Sequence, residues 1–575
     1  MVLRPFRALA VAAAGLLCVG LSAPAAALAE EPAAPPAVGR VAAVFALTAP
    51  AASTSLISAE NLALYTSPTG VLSRELSEVI DTPVAIGIDP MILASIRVLG
   101  SAAPASSLLW LDRLAAASNE TFPLAYADAD LTLALQAGSP AVVAPTSFDF
   151  AIDPGRFATP STETPTPTPT GSNGSTPAST VTEDPEEEEE EGSEPEPAGP
   201  PQLPTLESLL AWDYTMADVA WPVAGTVVGS DLAAFAAAGY GTTILSSGNV
   251  QRTAPSLATA TVGEMPAYVT DDVLSALFDQ AITATTNDDW LPTMATLQAS
   301  VDAVAAGGGA DGASVVVAAN RGTLAETTRL VATLTAIDAL DSVDAVPLSA
   351  VGTAVSPSAQ LVDLPQTPER VAVAASLLAA EAADNAFSTV AENPLLITSD
   401  RRLRLLTVFS SAWAALPGGF ITVAGAYQAE SATLQQSVRV VKSSDITLLA
   451  DRASLPVTVM NSLNQPVTVN VGVDVRSSVL AIEEPMVAVT IEPDSQKRAS
   501  IPVQSLSNGT AVINVSISSP VGVPIGATST VTINVYAGWE TPITVAIGVV
   551  VFLVFGLGIA RTVVRRRRAR RDTAE

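Results

Sequence analysis

The chain has no histidine, and its single cysteine, Cys18, lies near the amino terminus. Lacking histidine, it cannot run Ser-His-Asp or Cys-His catalysis, ligate zinc through imidazole, or use an imidazole as acid or base. If the first segment is removed as a signal, the remainder has no thiol for a disulfide, a nucleophile or a metal ligand. Lysine is nearly missing too, with only Lys442 and Lys497, and aromatic residues make up 5%. Any enzyme built here would rely on carboxylates, Tyr, Ser, Lys or Arg, and neither a cofactor nor a metal site is expected. Abundant Ala, Val and Arg with so little Lys resembles the bias of a high-GC actinobacterial genome.

Charge is scarce in one further stretch, Pro542–Ala560 (PITVAIGVVVFLVFGLGIA), which has none and is followed by the basic run Arg565–Arg571. At about 1.5 Å of rise per residue, such a helix spans a bilayer core. An Arg at mid-bilayer costs about 2.5–3.5 kcal/mol, so the run predicts a stop-transfer anchor with residues 561–575 cytoplasmic. Residues 1–29 carry Arg4 and Arg7, then an apolar core, then Ala27-Leu28-Ala29, the pattern of a cleaved signal peptide. Together they predict a single-pass type I protein of the cell membrane with its ectodomain outside.

The formal charge is −30 overall, but the ends are basic. Removing the arginines of the signal and the tail, with the tail's Asp572 and Glu575, leaves 18 basic against 55 acidic residues, a net of about −37. Such a surface repels nucleic acid, so no nucleic-acid partner is expected.

Residues 159–204 run from Thr/Pro repeats into the acidic block Glu186–Glu191. With nothing apolar to bury, this stretch reads as a disordered insert, a candidate for O-mannosylation or weak calcium binding. On either side, residues 40–158 and 205–365 alternate short Val/Ile runs with amphipathic helices: Arg40–Leu47, Val71–Ile80, Val84–Ile88, Ser107–Ser118, Phe122–Tyr126 and Ala141–Ala144 before the insert, and after it Val219–Trp221, Ser230–Ala238, Thr242–Leu245, Asp272–Thr283, Ser314–Ala319, Leu324–Leu340 and Val343–Pro347. This α/β rhythm predicts a (β/α)-barrel-like domain interrupted by the insert, or two open α/β domains joined by it.

In a barrel the strand ends carry function. Asp89 follows VAIGI, Asp128 and Asp130 follow FPLAY, Trp221 closes VAW, and Asn320 and Arg321 follow SVVVAA. Asp89, Trp221, Asn320 and Arg321 are the candidate ligand-binding residues. Asp89, Asp128 and Asp130 are the candidate catalytic carboxylates of an alternative, a histidine-independent glycan hydrolase. Helix capping explains Asp89 before Pro90 and Asp130 before Leu131 equally well. The DP and YADAD patterns are faintly similar to carbohydrate deacetylases and glycosidases, although a deacetylase metal site needs histidines.

Residues 366–440 read as helical, with Ser399-Asp400 capping a helix whose Arg401, Arg402 and Arg404 form a solvated basic face. Over residues 441–538 the period changes to two, predicting a disulfide-free immunoglobulin-like β-sandwich beside the anchor.

The segments LPVTVMNSLNQPVTVNV, VPIG and AGWE, the Arg-rich stop, and upstream VAIGIDP and PLAYADADL resemble an actinobacterial family of secreted single-pass membrane proteins with a domain of unknown function. Members of that family are often encoded beside the MurJ/MviN-type lipid II flippase. The resemblance implies an uncharacterized cell-envelope protein in peptidoglycan assembly, with the cytoplasmic membrane and either cell-wall glycan or the flippase as partners. The expected function is a non-catalytic binding or scaffolding module, against the hydrolase and a passive spacer or adhesin.

Overall fold

A computed structural model of the chain describes residues 38–157, 202–251, 257–307, 313–322, 326–352, 356–414, 416–442, 445–536 and 540–569. The expected signal peptide, all but the last three residues of the insert, and the tail from residue 570 lie outside them.

Strand β1, Gly39–Leu47, is buried at eight of its nine positions and is the centre of the first body. Chain order continues with β2 (Ala85–Ile88), β3 (Thr121–Pro123), β4 (Val219–Ala220), β5 (Thr242–Ser246), β6 (Val250–Gln251), β7 (Thr259–Val262), β8 (Met265–Thr270), β9 (Ser314–Ala318), β10 (Val343–Ala345) and β11 (Ser358–Leu361). Seven of these pair in parallel in the order β3-β2-β1-β9-β8-β5-β4. Side chains alternate across β1: Val41, Ala43, Phe45 and Leu47 meet the surrounding helices, whereas Ala42, Val44 and Ala46 meet Ala85, Phe122, Val219, Ile244 and Val316. Residues of six strands therefore share one small cluster on one face, which requires the sheet to curl into a half-barrel. At its edges, Met216 N–H donates to the Thr121 carbonyl at 3.0 Å and Thr121 N–H to Thr215 Oγ1 at 2.7 Å, so the chain entering β4 is tied to β3.

Three expectations change. Ala141–Ala144 is loop rather than strand, and of the helix expected over Leu324–Leu340, whose first two residues lie outside the described ones, Leu330–Asp338 is helical. An antiparallel hairpin, β7–β8, interrupts the α/β rhythm, turning at Gly263 with φ +62°. Gly supplies that left-handed conformation without steric cost.

Helices Pro368–Ser388, Pro394–Val408 and Pro417–Gln435 follow, each with proline in its first turn, where the missing N–H is no loss. Leu377, Leu403, Leu406, Phe420 and Tyr427 join the core of the first body, while Phe387 and Val390 enter that of the next. The middle helix is capped by Asn393, whose Oδ1 accepts from Leu395 N–H at 3.2 Å. Ser399 and Asp400 thus lie inside the helix, correcting the expected cap.

The last body has two sheets over one Val/Ile core. Its strands are β12 (Val438–Val440), β13 (Ile446–Leu448), β14 (Arg452–Asn461), β15 (Val467–Val475), β16 (Leu480–Ile482), β17 (Met486–Ile491), β18 (Ser495–Ser505), β19 (Gly509–Ser518) and β20 (Pro524–Val535). They order as β12-β14-β18-β16 and β13-β20-β19-β15-β17. One end of this pair of sheets meets the helices, where Glu392 N–H donates to the Pro466 carbonyl at 3.0 Å and Thr468 N–H to the Val390 carbonyl at 2.8 Å. Finally, helix Glu540–Ala569 contains a segment, Ile543–Arg568, long and apolar enough to cross a membrane. The helix runs on past Ala560 through the first basic residues.

Candidate functional site

Strand β2 delivers Asp89 to the start of helix Pro90–Arg97, and Pro90 fixes the backbone there. Asp89 Oδ1 accepts from Met91 N–H, capping the helix, and also from Ala127 N–H, each at 2.8 Å. The second bond holds an unusual turn, since Ala127 and Asp128 have φ of +58° and +48°, where side chains crowd the backbone. Asp89 is 3% exposed, and burial pushes its carboxyl up to about 8, with the Asp128 charge adding to the effect.

The strained turn aims two more carboxylates at the helical region. Asp128 accepts from Ser411 Oγ and faces Arg321, whose Nε is 3.6 Å away; burial raises its pKa while Arg321 opposes the rise. Asp130 caps helix Leu131–Gln136 through Thr132 N–H at 3.1 Å and Leu133 N–H at 3.3 Å. Its Oδ2 accepts from Gln366 Nε2 at 2.6 Å and lies 3.6 Å from Arg370 Nη2. Asp130 N–H donates to the Phe409 carbonyl at 2.8 Å. The YADAD motif is therefore a clasp between half-barrel and helices, and the sequence signal it gives is structural.

Arg321, just beyond β9, lies with its guanidinium carbon 3.7 Å from the centre of the Trp221 ring. Its Nη2 donates to the Trp221 carbonyl at 2.7 Å, and its side chain is 12% exposed. Burial lowers its pKa, while the Asp128 and Asp130 charges support the cation. The Trp221 ring also meets Phe122 at 5.8 Å, so it is packed rather than offered bare to a ring-shaped ligand. Asn320 is held by Asp279, which accepts from its backbone N–H at 3.1 Å and from its side-chain amide.

Trp221, Asn320 and Arg321 line a cavity of about 330 Å³ at the carboxyl ends of β5, β8 and β9, together with Ser246, Thr270, Asp272, Ser275 and Ser411. Both Asp272 carboxylate oxygens accept backbone N–H groups, from Ser247 at 3.2 Å and Gly248 at 2.9 Å. Asp89, Asp128 and Asp130 do not line the cavity. Of the sequence candidates, the structure brings three together at its wall and sets the three carboxylates behind it. The hydroxyls of Ser246, Thr270, Ser275 and Ser411 were missed because Ser and Thr are common and no spacing marks them. No group of three or more acidic side chains suited to a metal ion occurs among the described residues.

A second cleft, about 990 Å³, separates the helices from the turn Ser462–Gln465. It is larger, but the arginines of the middle helix are committed, which corrects the expected solvated basic face. Arg401 is 5% exposed, donates to Asp384 at 2.8 Å and to Glu430 at 3.2 Å, and stacks on Tyr427; Arg402 pairs with Glu381 and Arg404 with Glu430. The chemistry fits a structural network better than a site.

A profile described as a family of unknown function, DUF6049, matches residues 82–571. The chain belongs to that family. No curated protein matches the DUF6049 chain. Among solved structures it is similar to native alpha-2-macroglobulin of E. coli, at 21% identity over 18% of this chain and 7% of that one, with a TM-score of 0.15. SSP-19, an MSP-domain protein of Caenorhabditis elegans, is 13% identical over 16% of this chain and 94% of its own, with a TM-score of 0.13. The E. coli chaperone DraB is 14% identical over 18% and 55%, at 0.14. The DUF6049 chain thus spans a small fraction of the macroglobulin's length.

Proposed function

We propose that this protein is a membrane-anchored module of the actinobacterial cell envelope that binds a polar, sugar-sized fragment of peptidoglycan or its precursor without cleaving it. The single observation carrying this reading is the make-up of the wall at the strand ends: hydroxyls, an amide and the Arg321–Trp221 pair, with one lining carboxylate, Asp272, that accepts the Ser247 and Gly248 N–H groups, while Asp89, Asp128 and Asp130 are spent behind it on caps and ion pairs. A neutral polyhydroxylated ligand suits such a wall, because each hydroxyl can give and take a hydrogen bond. A volume of about 330 Å³ lies at the small end of ligand sites, the scale of one N-acetylhexosamine.

In this reading the curled sheet is a distorted (β/α) barrel and the two-sheet body an immunoglobulin-like spacer. The basic residues after the apolar helix keep that end cytoplasmic, so both bodies face the wall. Cleavage of a glycoside requires one carboxylic acid free to protonate the leaving oxygen and a second carboxylate about 5–9.5 Å away. Asp272 has no second carboxylate beside it among the lining residues, and Asp89, Asp128 and Asp130 are engaged behind the wall, which favours binding. The test is titration of the full chain with defined peptidoglycan fragments and lipid II, against Ala276→Phe. Ala276 is exposed at the cavity wall, so a larger side chain there fills the space without disturbing the core.

A further inference from the structure

The two-sheet body buries most of its strand Val and Ile residues in one core, yet leaves three large apolar side chains bare at one end. Leu449 is 74% exposed, Tyr536 57% and Leu506 47%. Backbone bonds gather them: Tyr536 N–H donates to the Leu448 carbonyl at 2.8 Å, Ser505 N–H to the Asp451 carbonyl at 2.8 Å, and Ser505 Oγ to the Ala450 carbonyl at 2.9 Å. Leu449 is thus held between the other two, each within a residue or two of its own peptide. These residues belong to the end opposite the helical contacts at Pro466 and Thr468.

We infer that this tip, Leu449, Leu506 and Tyr536, is a lipid-docking surface that seats the two-sheet body on the bilayer carrying the chain's own helix. The occupant follows from continuity. Tyr536 ends the last strand, and the helix with the membrane-crossing segment begins at Glu540. Four residues at no more than about 3.6 Å each, then one helical turn at about 1.5 Å per residue, hold Tyr536 within roughly 19 Å of Ile543. The apolar tip is thereby kept within reach of the headgroups, a layer about 5–7 Å deep. Tyrosine, with an apolar ring and a polar hydroxyl, is a residue of that layer.

The flanking charges do not set a preference for anionic lipid. Arg452 lies 3.4 Å from Glu483, Arg476 lies 3.8 Å from Asp474, and Asp451 is exposed. Contact therefore rests on the apolar side chains and persists on zwitterionic lipid. The inference depends on the apolar helix entering a membrane and not on what the cavity binds.

The test uses the full chain with Cys18→Ser, reconstituted one copy per phosphatidylcholine nanodisc, with Leu449→Cys, Leu506→Cys or Val521→Cys labelled by an environment-sensitive fluorophore. Val521 is 72% exposed in the turn at the opposite end of the same body and serves as the internal reference. Headgroup-nitroxide lipid is expected to quench the probes at 449 and 506 at least about threefold more than the probe at 521, as for side chains resident in the interface. Equal, weak quenching at all three positions overturns the inference. So does a probe at 449 or 506 that is shielded from water yet unquenched by nitroxide lipid, which marks a protein contact instead.

Discussion

Arg321 and Trp221, a hundred positions apart, form a single unit: the guanidinium lies 3.7 Å from the ring centre and donates 2.7 Å to the same residue's carbonyl. Arg321 leaves β9 and Trp221 leaves β4, with β8 and β5 between them in the sheet. Its Nε meanwhile faces Asp128 from the turn after β3. One side chain thus joins three loops over the open end of the half-barrel and forms part of the cavity wall.

Removing that charge strands Asp128, whose side chain is 7% exposed. Breaking a buried ion pair costs about 3–5 kcal/mol, so Arg321→Gln should lower stability by about 3 kcal/mol in urea unfolding of the full chain followed by tryptophan fluorescence. Arg321→Lys restores the charge but not the planar fork that serves Trp221 and Asp128 together, and should recover less than half. Arg321→Gln with Asp128→Asn, which removes both charges, should be more stable than Arg321→Gln alone.

Asp89 gives a pH signature. Its carboxyl titrates near about 3.9 in an unfolded chain and is held up to about 8 in the folded one. Between these values the folded chain keeps a proton that the unfolded chain releases, so this group makes the fold progressively less stable as pH rises from about 4 to 8 and contributes no further change above. Asp89→Asn retains an Oδ1 acceptor for Met91 and Ala127 and abolishes the titration. Its melting temperature relative to wild type should therefore rise between pH 5 and pH 8. A difference that shrinks over that interval would contradict the assignment.

The arginines of the middle helix should separate by burial. The Arg401–Asp384 side chains are 6% and 0% exposed, whereas Arg404–Glu430 are 26% and 37%. Arg401→Ala should cost about 3 kcal/mol or more, leaving Asp384 to Ser431 and Gln435. Arg404→Ala, a screened pair, should cost less than about 1 kcal/mol. Denaturant midpoints of the two variants decide this, and equal losses would mean the network is held by something other than those pairs.

Local patterning made much of the fold legible. Asp89-Pro90 and Asp130-Leu131 announce caps because an Asp oxygen and a proline act on the next few residues alone, and the period of two beyond residue 440 announces strands for the same reason. The β7–β8 hairpin was hidden because β7 is only four residues long and the alternation beside it is weak. Arg401, Arg402 and Arg404 misled because consecutive charges on a helix usually face water, and their partners Asp384, Glu381 and Glu430 lie on two other helices. The cavity's hydroxyls come from four separate segments, which no single-sequence spacing can reveal.

The most direct measurement of the central claim is calorimetric titration of the full-length protein with N-acetylhexosamine-containing peptidoglycan fragments, paired with chromatography of the same mixtures for cleavage products. The account predicts binding without turnover, reduced at least about tenfold, or 1.4 kcal/mol, by Ala276→Phe and unchanged by Asp89→Asn. Product formation lost in Asp89→Asn, or binding indifferent to Ala276→Phe, would contradict it.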